Sequence, residues 1–129
     1  MYRPTSRSRV AGRVVIAHAV GLWTAGMVGT IGTTAGFSVL GGGIGLYLGG
    51  ILSIPWISAL AAAIWFYGKW IDKHPYVFAL AGPVITCGSY AVLAGAFLDA
   101  VAVSSVTSSA CYLALALWNN FRSANAVRN

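Results

Sequence analysis

The chain has 129 residues, of which 58% are hydrophobic and only 8% charged, and its mean hydropathy is +0.78. An ordinary globular domain is about one quarter charged, so this composition excludes a water-soluble surface and points to an all-α integral membrane protein. The net charge of +6 does not indicate a nucleic-acid partner, because the basic residues flank apolar runs instead of forming a patch with exposed aromatics.

In chain order, residues 1–13 read as a cytoplasmic basic tail carrying Arg3, Arg7, Arg9 and Arg13. A first crossing follows over 14–36. Its apolar run is too long for the core of a secretory signal, so it is expected to be retained. His18 is the one ionisable side chain well inside an apolar run, which makes it a candidate haem ligand, proton carrier or metal ligand, with a neutral interfacial histidine as the plainer reading. A second crossing spans 43–68. Gly41, Gly45 and Gly49 form a GxxxGxxxG ladder that leads into it, and Gly32 and Gly36 repeat the spacing in the first crossing. Hydrophobicity does little to join helices within lipid, so such ladders mark faces where backbones approach closely, within the chain or between chains.

Lys69 and Lys73 sit in a short loop ahead of a third crossing over 76–97. Pro55 and Pro83 interrupt the second and third runs, and each is expected to kink its helix. Asp99 marks a turn, and a fourth crossing over 100–121 carries Ser104, Ser105, Ser108 and Ser109. Helical spacing puts these hydroxyls on adjacent stripes, so they read as a polar, bundle-facing seam, with an outer loop as the alternative. Cys87 and Cys111 are each twelve residues from Asp99. A hairpin pivoting at Asp99 would set them at one depth, where a thiol pair would suit a soft metal. The tail, 122–129, carries Arg122 and Arg128.

The expected architecture is a four-transmembrane-helix up-down bundle with short loops. With both ends in the cytoplasm of a bacterial-type inner membrane, every Lys and Arg falls on one side, as the positive-inside rule requires. Trp65, Tyr67, Trp70, Tyr76 and Trp118 fall near that same boundary, where amphipathic rings anchor.

The layout resembles that of small mercury-resistance transporters, of small multidrug transporters and of haem-bearing respiratory anchors. The residues that carry those functions are missing: Thr33-Thr34 stands where the first family has paired cysteines, and the second family's membrane-embedded glutamate has no counterpart. Two acidic residues in the whole chain leave no paired-carboxylate chemistry, and no phosphate loop or zinc-protease pattern occurs. The expectation is a non-catalytic membrane subunit without a resident cofactor. It would pack or oligomerise through its glycine faces, against other membrane subunits or copies of itself. A homo-oligomeric, holin-like pore and a small ion or metal transporter are the alternatives.

Overall fold

A computed structural model describes residues 5–29, 39–93 and 98–126. They form five α-helices: α1 (Ser6–Gly29), α2 (Val39–Leu52), α3 (Ile54–Lys73), α4 (Pro75–Leu93) and α5 (Leu98–Ala126). Gly32, Gly36, Arg3 and Arg128 lie outside the described residues. Two stretches are long and apolar enough to cross a membrane, Ser6–Gly29 and Asp99–Phe121, and α2 with α3 makes a third if the bent pair counts as one span. Over the described residues this membrane protein is thus all-helical, with two or three candidate spans; α4 is apolar over the shorter stretch Pro75–Ser89.

Three boundaries differ from the sequence expectation. First, α1 begins at Ser6, inside the expected basic tail, and buries Val10 and Arg13. Thr5 caps it: its Oγ1 accepts the amide of Ser8 at 3.3 Å, which satisfies one of the free donors of the first turn. Second, the expected unbroken run over 43–68 is two helices bent by 68° at Ser53. Pro55 stands in the first turn of α3 and has no amide proton, so the Ile51 carbonyl loses its helical donor and the chain turns where that bond is missing. Ser53 Oγ donates to the Gly49 carbonyl at 2.6 Å and closes the end of α2. By contrast, α4 runs unbroken through Pro83. Third, α5 continues to Ala126, so residues 122–126, expected in the tail, are helical.

The central helix is α1, which lies along α5, α2 and α3, whereas α4 packs on α5 and meets α3 only lightly. One end of the bundle gathers the start of α1, the end of α3, the start of α4 and the middle of α5. There Val10, Ile64, Ile71, Ala79 and Tyr112 form the buried core, and the Phe78 and Tyr112 rings sit 5.1 Å apart. The α3–α4 junction at His74 is tight because its amide closes α3 on Trp70 and Ile71, and Pro75 opens α4 at a position needing no donor. Large apolar side chains cover the outside, with Leu40 and Val92 at least 80% exposed. Water would not tolerate such surfaces; hydrocarbon does.

Candidate functional site

The basic end holds a charged node that spacing alone does not reveal. Arg9 Nη2 donates to Asp72 Oδ2 at 2.8 Å and Arg13 Nη1 to Asp72 Oδ1 at 3.0 Å. Positions 9 and 13 are one turn apart on α1, so both guanidiniums reach the single carboxylate at the end of α3. Arg13 is 7% exposed, and its Nε and the Tyr112 hydroxyl are buried without protein hydrogen-bond partners. Their flanking positions mark these arginines only as topology signals, and spacing gives Asp72 no partner. The available signal was the scarcity of acid: a lone carboxylate beside the membrane, in a chain of eight basic residues, is poised to be claimed by one of them.

Glycine sets the other contacts of α1. A Cβ built at Gly45 would lie 2.5 Å from the Leu22 carbonyl oxygen and 2.7 Å from Gly26 Cα, and one at Gly49 would strike the Leu22 side chain. At Gly26 a Cβ would run into the Gly41 carbonyl, while Trp23 fills the space over Gly42. The α2 ladder of Gly41, Gly45 and Gly49 is therefore occupied within the chain. Gly26, which completes this packing from α1, is not singled out by spacing; Gly21 instead meets Ser104 and Ser108 of α5, and with Ala17 it forms a small-xxx-small pair on α1.

The serine stripes split between two neighbours. Ser104 and Ser108 lie against α1, where a Cβ at Gly21 would collide with both, and Ser105 and Ser109 face α4. Ser108 Oγ donates to the Ser104 carbonyl at 2.7 Å and Ser105 Oγ to the Ala102 carbonyl at 3.2 Å, so these two hydroxyls are satisfied on their own helix, as hydroxyls in a bilayer can be.

Cys87 and Cys111 do not oppose each other. Cys87 Sγ sits 3.6 Å from Ser105 Oγ, six positions from Cys111, because the α4–α5 register centres a few residues ahead of Asp99. Asp99 instead lies in the first turn of α5, where its charge complements the helix dipole. The expected thiol pair is thus absent. Among the described residues no three His, Cys, Asp or Glu side chains converge as a metal site would require. A Ser105→Cys substitution in a Cys111→Ser background is expected to crosslink to Cys87 on mild oxidation, while the unmodified chain forms no intrachain link; peptide mass spectrometry reads both. A Cys87–Cys111 link would overturn this register.

His18 lines a groove between α1 and the bent pair. The groove has a volume of about 730 Å³ and is walled by Val14 and Leu22 of α1, Leu46 of α2, and Ile57 and Leu60 of α3. Thr5, Arg7, Ser8 and Trp65 line it at the end where α1 begins, which we call its mouth. The groove follows from unequal path lengths. Between contacts, α1 runs from Gly26 to Arg13, about 20 Å of helix, while the bent pair runs from Gly45 to Asp72, about 40 Å. The surplus is taken up by the 68° bend at Ser53. His18 Nε2 is buried without a hydrogen-bond partner, and His18 is the one titratable side chain along the wall beyond the mouth.

Compared with known proteins, the chain matches no family model, no curated protein and no solved structure.

Proposed function

We propose that the chain is a non-catalytic integral membrane subunit that binds another membrane protein through the outer face of α4. In this reading it crosses a bacterial-type inner membrane four times, with α2–α3 as one broken crossing, α4 as a short one, and both ends on the cytoplasmic face. The location of Arg7, Arg9, Arg13, Lys69 and Lys73 at one end of the bundle supports that orientation through the positive-inside rule.

The observation that carries the reading is a ridge. Tyr76, Leu80, Val84, Gly88 and Val92 recur every fourth residue along α4 and are all exposed. Such an i+4 row is the unit that helices interdigitate, and the glycine within it, with open space beyond its Cα, offers a close approach. Meanwhile the glycine ladder and the serine seam, the features a homo-oligomeric pore would need at its subunit contacts and its lumen, are engaged within the chain. The ion-transport reading meets a wall of hydrocarbon along the His18 groove, where conduction needs several polar groups.

A photo-crosslinking side chain at Leu80 or Val84, introduced in native membranes, is expected to give one protein adduct of fixed mass. The same probe at Leu48, on the outer face of α2, is expected to give lipid adducts. Lipid adducts alone from Leu80 and Val84 would overturn the proposal.

A further inference from the structure

We propose that the groove between α1 and the α2–α3 bow is a binding site for one anionic phospholipid, with the phosphate at Arg7 and an acyl chain along the wall toward Leu22. The inference rests on the membrane setting of the chain and is independent of any role for α4.

Charge supports the headgroup position. The chain has two carboxylates, and the one at this end, Asp72, is taken by Arg9 and Arg13. Arg7 forms no ion pair among the described residues. Its stem lies over Gly68, whose missing side chain makes room for it, and its guanidinium carbon stands 5.2 Å from the Trp65 ring centroid. A cation held over an interfacial indole at the open end of a hydrocarbon groove is complementary to a phosphate followed by an acyl chain. Ser8, also at the mouth, adds a hydroxyl, though its Oγ already donates to the Thr5 carbonyl at 2.9 Å.

Length supports the acyl chain. From Arg7 to Leu22 the groove follows α1 for about 22 Å. The half-thickness of a hydrocarbon core is about 15 Å, so a chain anchored at Arg7 is accompanied by protein over its whole depth. Apolar side chains from all three helices line that path. His18 lies about 16 Å along α1 from Arg7, at acyl depth. It is not asked to bind the lipid, and this separates the proposal from one invoking a ligand with a polar group deep in the groove.

The test uses the full chain in nanodiscs of equal phosphatidylglycerol and phosphatidylcholine, extracted in mild detergent, with retained lipid counted by native mass spectrometry. The unmodified protein is expected to retain about one phosphatidylglycerol per chain in preference to phosphatidylcholine. Arg7→Gln is expected to lower that retention about fivefold, the worth of one arginine beside anionic lipid, and Arg7→Lys to restore most of it. Lys69→Gln, exposed outside the groove, is expected to change nothing. Ala61→Trp, or the milder Ala61→Phe, fills the groove and is expected to displace the lipid from a protein that remains monodisperse and helical. His18→Leu is expected to retain it. Equal retention of the two lipids, equal loss in Arg7→Gln and Lys69→Gln, or full retention in the folded Ala61 variants would each overturn the proposal. Loss in His18→Leu would do so as well, pointing to a polar ligand.

Discussion

Gly45→Leu is expected to abolish the folded state in mild detergent, while Gly43→Leu, two residues away, leaves it nearly unchanged. Gly45 meets backbone: the Leu22 carbonyl and Gly26 Cα lie 2.5 and 2.7 Å from where its Cβ would be, and Gly26 itself has no side chain to rotate aside. A leucine there must drive α1 and α2 apart along the whole contact. Overpacking of a core ordinarily costs about 1–3 kcal/mol, and a collision between two backbones that cannot repack belongs at or above the top of that range. Losses of this size are a large share of the stability of a domain. Gly43 faces outward with nothing within 4 Å, and a leucine there adds one more lipid-facing side chain. Thermal unfolding followed by circular dichroism, with size-exclusion profiles, reads the contrast. Equal behaviour of the two variants would refute the packing of α2 on α1.

The second large effect is expected at Asp72. Asp72→Leu removes the carboxylate shared by Arg9 and Arg13 and strands the Arg13 guanidinium in a site where it is 7% exposed. Breaking a buried pair by removing one partner costs about 3–5 kcal/mol, since the remaining charge keeps its desolvation penalty and loses its compensation. Adding Arg13→Met is expected to recover most of that loss, because an apolar stem of similar length occupies the space without a charge. Arg9 is more exposed, and Arg9→Met alone is expected to cost well under half as much. A double-mutant cycle on the unfolding midpoint isolates the Arg13–Asp72 coupling. Additive effects would show that the node contributes little to the fold.

Both predictions concern contacts of α1, and they mark the border of what spacing makes legible. The ladder of Gly41, Gly45 and Gly49 declares a contact face because small residues every fourth position can have few other uses in lipid, but the ladder does not name the facing helix. Gly26 and Leu22 supply that answer only when α1 and α2 are set side by side. The serine stripe is similar. Its helical periodicity is visible in the sequence; the division between Gly21 of α1 and Cys87 of α4 depends on how three helices are arranged. The cysteines show where the reasoning failed: counting from Asp99 assumes that the turn is symmetric about that residue, and a shift of a few residues in the pivot moves two side chains past each other by more than a helical turn.

The sequence by itself determined the solvent. Fifty-eight per cent hydrophobic residues and eight per cent charged ones leave only a bilayer as a medium, and the hydrogen-bonding demands of a bilayer make the chain helical. It also marked Pro55 and Pro83 as points where a missing amide proton weakens a helix, of which only Pro55 coincides with a break, and it set the basic residues at the ends of apolar runs. Tertiary structure alone decided which charges are paired, which glycines are covered and where the groove opens. Pairing and covering depend on residues far apart in the chain, such as Arg13 and Asp72. The groove depends on a difference in length between α1 and the α2–α3 path, which exists only once both ends of the two paths are joined.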